Sequence, residues 1–141
     1  MEVAPLRMTN EGRIEILLTQ RPADDKHWPN EWHIPGTVIR STDEPGNFHT
    51  GFQRVLHDEL NDAVVYPTEP QFVGVKFWDA HRGRELDHLH YVEVSVVDGA
   101  KVPGQFFDVT QLPETTIATH KIMIPEIAEA YRQRKSQAST N

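Results

Sequence analysis

Between Trp32 and Asn61 the chain concentrates residue types that hold cations and move protons. A Trp-His-Ile-Pro-Gly run leads through a polar loop into a segment carrying Arg54, Asp58 and Glu59. Phe48 to Leu60 has helical periodicity. At about 100° per residue, Phe48, Phe52, Val55, Leu56 and Ala63 fall on one side, and Glu59 projects into the middle of that side. Burying an unpaired charge costs several kcal/mol, so Glu59 calls for a strong compensator such as a metal ion or an arginine. Asp58 and Asp62 flank it, with Arg54 one turn before Asp58. The competing interpretation is a solvated helix face on which Arg54 and Asp58 simply pair.

The elements that must position these residues alternate between strand and turn signals. Leu6 to Thr9 and Arg13 to Gln20 read as a hairpin closed at Asn10-Glu11-Gly12. Pro22 to Pro29 is a polar loop, and Trp32 to Arg40 a short strand broken by Pro35-Gly36. Pro45-Gly46 punctuates the approach to the helix. Beyond it, Val64 to Pro70 connects into a strand from Gln71 to Trp78, followed by a charged hairpin loop over Asp79 to Asp87. From Leu89 to Val97, Leu89, Tyr91, Glu93 and Ser95 face one way and His90, Val92, Val94 and Val96 the other. Phe106 to Val109 reads as a last strand. Ile122 to Arg134 reads as an amphipathic helix with Ile122, Ile127 and Tyr131 toward the core, ahead of a tail from Gln133 to Asn141 that frays. Hairpins mixed with only two helices predict one α+β domain over residues 1–141 with a mixed sheet.

Composition narrows the function. With 14 basic and 21 acidic residues the net charge is −7, and the cations are scattered, which disfavours a nucleic acid polymer as partner. Cysteine is absent, excluding disulfides, thiolate metal sites and a cysteine nucleophile. The first residues show no signal pattern and no apolar run approaches a membrane span, so a cytoplasmic protein without membrane contact is expected.

The Pro-Gly turn, the acidic loop and the helix Arg54-Val55-Leu56-His57-Asp58-Glu59-Leu60-Asn61 together resemble the box of the Nudix hydrolase family. The resemblance implies the α/β/α Nudix sandwich over nearly the whole chain. Three box positions depart from it. Val55 replaces the glutamate after the arginine, Asn61 the terminal glycine, and Thr37 the second glycine after proline. The loop is also longer than the family spacing, which leaves Glu44 as the nearest match to the loop glutamate. Val55 is similar to its counterpart in the GDP-mannose mannosyl hydrolase branch.

The resemblance implies hydrolysis of a nucleoside diphosphate linked to another moiety, with magnesium as cofactor and manganese as its substitute. The metal positions carried over are Asp58, Glu59 and the carbonyl of Gly36, with Gln105 as an additional ligand. An all-oxygen donor set suits such a hard cation. Arg54 would orient the carboxylates. With Val55 unable to accept a proton, His120, placed in a loop from Pro113 before the last helix, becomes the first candidate for the base; Glu114, Glu44 and Asp43 are its rivals. Trp28 and Trp32 are candidates for stacking on a base or sugar, and Arg82 and Arg84 for contacting phosphates. His33 reads as a packed strand residue. The alternatives are a GDP-sugar glycosyl hydrolase attacking sugar carbon, or a non-catalytic Nudix domain that binds a nucleotide or a protein. A homodimer is compatible with all of them.

Overall fold

Two hydrophobic registers run through the same strands, so both faces of one sheet are covered. The computed structural model describes residues 1–45 and 47–140; Gly46 of the Pro45-Gly46 turn and Asn141 of the tail lie outside the described residues. The strands are β1 (Glu2–Met8), β2 (Ile14–Gln20), β3 (Trp32–His33), β4 (Val64–Val65), β5 (Gln71–Ala80), β6 (Gly83–Glu93), β7 (Ser95–Val96) and β8 (Gln105–Asp108). The main sheet has the order β3-β2-β1-β6-β5, with β8 also paired to β2; β4 and β7 form a separate two-stranded ladder. Among the strand pairings of the described residues, β1–β6 alone is parallel, which makes the sheet mixed.

On one face Ala4, Leu6, Ile16, Leu18, Leu89 and Tyr91 pack with Met123, Ile124, Ile127 and Tyr131 of the long helix α2 (Ala118–Ser139). On the other, Val3, Leu17, Val92 and Val94 pack with Phe52, Val55 and Leu60. Period-two alternation therefore separates two buried sets, one per face. The result is a helix-covered α+β sandwich. Among the described residues, no helix is long and apolar enough to cross a membrane.

Several boundaries differ from the sequence expectation. β1 begins at Glu2 rather than Leu6, because Glu2 to Leu6 pair with Leu89 to Glu93 of β6. β3 stops at His33. Pro35 has no N–H to donate, and the chain beyond it makes only an isolated bridge from Gly36 to Glu2. The charged segment expected as a loop over Asp79 to Asp87 instead continues both strands to a tight turn, with Gly83 at φ +120°. In α2, Ile122 is 60% exposed, and the core positions are taken by Met123 and Ile124. That helix starts at Ala118, so His120 lies in its first turn and not in a preceding loop.

The box helix is the main local surprise. α1 (His49–Arg54) runs directly into a π-helical turn, Val55–Glu59, closed by the Leu60 N–H donating to the Val55 carbonyl at 3.1 Å. A π turn advances less per residue than an α turn. Leu60 therefore takes the fully buried place, and Glu59 is displaced from the middle of the apolar side to its half-exposed edge.

Gly104 shows how tightly β8 is delivered to β2. Its φ is +111°, and a Cβ there would stand 2.1 Å from the Leu18 carbonyl oxygen. Gly104→Ala is expected to cost about 1–3 kcal/mol from backbone strain alone, with the clash adding to it. Urea unfolding checks this; a midpoint equal to that of the parent would contradict the packing described.

Candidate active site

Gly36 earns its place by close backbone approach. The segment Pro35 to Thr37 runs antiparallel to the first residues of β1. Val3 N–H donates to the Pro35 carbonyl (2.9 Å), Thr37 N–H to the Met1 carbonyl (3.0 Å), and the Met1 amino group to the Thr37 carbonyl (3.0 Å). A Cβ on residue 36 would lie 2.2 Å from Glu2 Oε2 and 2.7 Å from the Met1 carbonyl oxygen. Only glycine fits.

That junction opens into a cavity of about 1170 Å³, whose wall includes Gly36, Glu59, His120, Trp28, Arg82 and Arg84. Six of the residues singled out from sequence thus meet in one place. Glu59 also borders a second cavity of about 560 Å³, which it shares with Asp58 and Trp32. Asp58 is exposed, and Trp32 is half-buried with its ring set edge-on to Phe107 at 4.9 Å. Gln105 and Glu44 are exposed and border neither cavity.

Glu59 is raised above the ordinary carboxylate range by burial, with Arg21 opposing and Asp58 adding to the shift. Arg21 itself is bound to Asp25, with Nε 2.9 Å from Oδ2. Asp25 Oδ1 in turn accepts the backbone N–H groups of His27 (3.0 Å) and Trp28 (2.8 Å). These bonds, the Trp28 one first, hold its carboxyl down at about 2. The Asp25 turn thereby fixes Trp28 in the cavity wall, where the Arg82 guanidinium lies 5.0 Å over its ring. Arg82 also pairs with Glu85, and Arg84 is largely exposed with Asp79 at 3.3 Å.

Arg54 does not bond to Asp58 or Glu59. Its guanidinium grips Asp43 with both terminal nitrogens (2.6 and 3.0 Å) and donates to the Val38 carbonyl at 2.8 Å. The fork geometry ties the loop after Gly36 to the helix, so Arg54 positions the turn that carries Gly36. Asp43, not Glu44, is the loop acid at this helix.

His120 sits beside Ile34 and its neighbour His33, and the two imidazoles hold opposite tautomers. The carbonyl of Ile34 can only accept, so His33 Nδ1, 2.9 Å away, carries its proton, and His33 Nε2 accepts from Thr19 Oγ1 (2.9 Å). The Ile34 N–H donates to His120 Nδ1 at 2.9 Å, which leaves the His120 proton on Nε2. His120 therefore offers a hydrogen and has no free lone pair, a geometry suited to a donor and not to the base expected from sequence. Burial first, then His33 and Arg82, pushes it down to about 3; burial likewise takes His33 to about 4.

Sequence reasoning missed Glu2, Arg21, Glu85 and Asp87. Glu2 lies in the cavity beside Asp87 and Glu85, and burial, against the pull of the Met1 amino group, pushes its carboxyl up to about 8. Burial also raises Asp87. No motif or spacing marks these residues. Glu2, Glu85 and Asp87 come together because β1 and β6 pair in parallel, with Glu2 opposite Leu89 and hence next to the end of β6 that carries Glu85 and Asp87; Arg21 is delivered separately, just beyond the end of β2.

No family model matches this chain, and no curated protein does. Solved structures do. A mutT/nudix family protein from Listeria innocua superposes with a TM-score of 0.68 at 17% identity, covering 97% of this chain and 94% of that one. This chain has the Nudix fold. The NUDIX domain of Shewanella oneidensis NrtR, solved in complex with ADP ribose, gives 0.67 at 16% identity over 92% of this chain and 85% of that one. The Ap4A hydrolase of C. elegans gives 0.63 at 16% identity over 92% and 94%. Each covers nearly all of this Nudix-fold chain.

The Arg54–Asp43 clamp has a pH signature. Asp43 is held at about 2, first by its hydrogen bond from Arg54, against an ordinary value of 3.8. Its folded pKa is depressed, so the stability it adds is complete above the unfolded value and is lost as pH falls from about 4 to about 2. Asp43→Asn is expected to unfold earlier than the parent at neutral pH, with the gap closing across that window in thermal melts. A gap that stays constant would remove Asp43 from the clamp.

Proposed function

We propose that this chain is a divalent-metal-dependent Nudix pyrophosphohydrolase acting on a nucleoside diphosphate joined to a second group. The observation that carries this reading is that the Gly36 turn and Glu59, from separate elements, border one large cavity, with Asp58 adjacent to Glu59. The donor types suit a hard cation, and the set has to include a main-chain carbonyl, because among the described residues no three His, Asp or Glu side chains group as metal ligands. All the donors are oxygens, Glu59 is raised by burial and by Asp58, and the arginine that opposes this shift is engaged by Asp25. In this reading Asp58, Glu59 and the Gly36 carbonyl hold magnesium, or manganese in its place. Bound there, such an ion would supply polarisation of the phosphoryl oxygens and offset charge on the departing phosphate.

The chain's own residues do the rest. Arg54, through Asp43 and Val38, keeps the Gly36 turn against the helix. Arg21 supplies positive charge to the pyrophosphate, and Trp28, stiffened by the Asp25 turn and covered on one face by Arg82, offers an aromatic face in the cavity wall. Arg82 and Arg84, paired with Glu85 and Asp79 at the start of β6, stand at the opposite, acidic end. The ADP ribose bound by the similar NrtR domain is a nucleoside diphosphate derivative of the class proposed here. Glu44 and Gln105 have no direct part in this reading.

A second reading, a non-catalytic nucleotide-binding Nudix domain, is favoured by one observation. Val55, at the position where the family carries a glutamate, is completely buried in the core beneath the helix. Attack at sugar carbon is the third reading, and the occupied Nδ1 of His120 weighs against the histidine base it would use.

A panel of ADP-ribose, GDP-mannose, diadenosine tetraphosphate and nucleoside triphosphates with magnesium separates the three. Nucleoside monophosphate as product supports attack at phosphorus; free sugar with nucleoside diphosphate supports attack at carbon. Glu59→Gln is expected to lower kcat at least about a hundredfold, the scale of removing one electrostatic stabiliser, while its circular dichroism and melting remain near the parent. Retained turnover would take Glu59 out of the metal set, and ligand binding without turnover in the parent would favour the binding domain.

A further inference from the structure

His120 and Glu2 approach each other without bonding. His120 Nε2 stands 4.0 Å from Glu2 Oε1. His120 is only 7% exposed, and its hydrogen-bonded nitrogen is the other one, Nδ1. The Nε2–H therefore points its hydrogen into the cavity that both side chains border.

The separation has a chemical meaning. It is too long for a direct hydrogen bond. Two hydrogen bonds of about 2.8 Å drawn from a single atom span 4.0 Å at an angle of roughly 90°, close to the geometry of an oxygen that accepts one hydrogen and donates another. His120 can only donate at this atom, and Glu2 has oxygens that accept in either protonation state. Burial lets Glu2 keep its proton near neutral pH and so donate as well. The atom that serves this pair with Glu2 in either state is therefore one that both accepts and donates. A phosphoryl or carboxylate oxygen only accepts; it would pair with Glu2 only while that carboxyl is protonated, and would be brought up to Asp87 and Glu85, where the cation at hand, Arg82, is already paired with Glu85. An ammonium only donates and leaves the His120 hydrogen unmatched. A hydroxyl satisfies both partners and brings no charge into an acidic wall.

We propose that His120 and Glu2 form a specificity pair that grips one sugar hydroxyl of the ligand, with His120 Nε2–H donating to the hydroxyl oxygen and Glu2 accepting its hydrogen. This deepens the pyrophosphohydrolase reading by stating what the second group carries. The phosphates then lie toward Gly36, Glu59 and Arg21, and the acidic end between β1 and β6 takes the neutral sugar. Ile34 is the positioning element, because its N–H fixes the tautomer that makes His120 a donor.

The test needs no turnover. In protein labelled with ¹⁵N at histidine, two-bond proton–nitrogen correlations near neutral pH are expected to show His120 protonated at Nε2 and bare at Nδ1. Titration with ribose 5-phosphate is expected to move the Nε2 and Nε2–H resonances, whereas inorganic phosphate leaves them in place. His120→Asn keeps an acceptor for the Ile34 N–H but has no hydrogen at the Nε2 position, and should weaken ribose 5-phosphate binding about tenfold or more. His120→Gln, which restores an N–H at that reach, should recover part of the loss. An Nδ1-protonated ring, resonances indifferent to ribose 5-phosphate (a bound water only), an equal response to phosphate, or unchanged binding by His120→Asn would each overturn the pair. If the His120→Asn protein does not fold, the titration of the parent still decides. A chain that hydrolyses nothing but shows the sugar-dependent shift loses the proposed function and keeps this inference.

Discussion

The close passage of two backbones at Gly36 is the constraint on which the site depends. Three main-chain hydrogen bonds press Pro35 to Thr37 against the first residues of β1, and no Cβ can be accommodated between them. This contact places Glu2, Ile34 and Gly36 side by side. Ile34 then sets the tautomers of His33 and His120 through its carbonyl and its N–H. One backbone junction thus organises both a carbonyl-bearing turn and the donor pattern of the cavity floor.

The second determinant is the π turn. Had the helix stayed α-helical through Leu60, Glu59 would occupy the middle of the apolar side, where a carboxylate is costly. Widening at Val55–Glu59 lets Leu60 complete the core with Val55 and Phe52, and puts Glu59 at the border of both cavities. Arg54, the last residue before the wide turn, is left to hold Asp43 and so joins helix to loop.

Much of this was legible in the sequence where periodicity or composition carries the signal. The alternation of Leu89 and Tyr91 against Val92 and Val94 marked the two faces that the helices cover, and the degenerate box pointed to the Nudix fold. The misplacement of Glu59 came from applying an α-helical angle to residues that form a π turn, which no propensity announces. The start of β1 was missed because parallel pairing with β6 is a long-range contact, and with it went Glu2, Glu85 and Asp87. The hydrogen-bonding state of His120 was unreadable for a related reason. A histidine's tautomer is set by its partner, and that partner, Ile34, lies far away in the chain.

Charge is divided within the cavity, with Arg21 near Glu59, and with Glu2, Glu85 and Asp87 along β1 and β6, where Arg82 pairs with Glu85 and covers Trp28. Convergence of the Gly36 turn with Asp58 and Glu59 around a divalent ion is the central claim, and paramagnetic broadening by manganese tests it most directly. In the amide spectrum of the labelled protein, substoichiometric Mn²⁺ should first erase the resonances of Gly36, Thr37, Glu59 and Leu60, leaving those of Glu85 and Asp87 visible. Broadening confined to Glu2, Glu85 and Asp87, or spread evenly over the acidic surface, would contradict it.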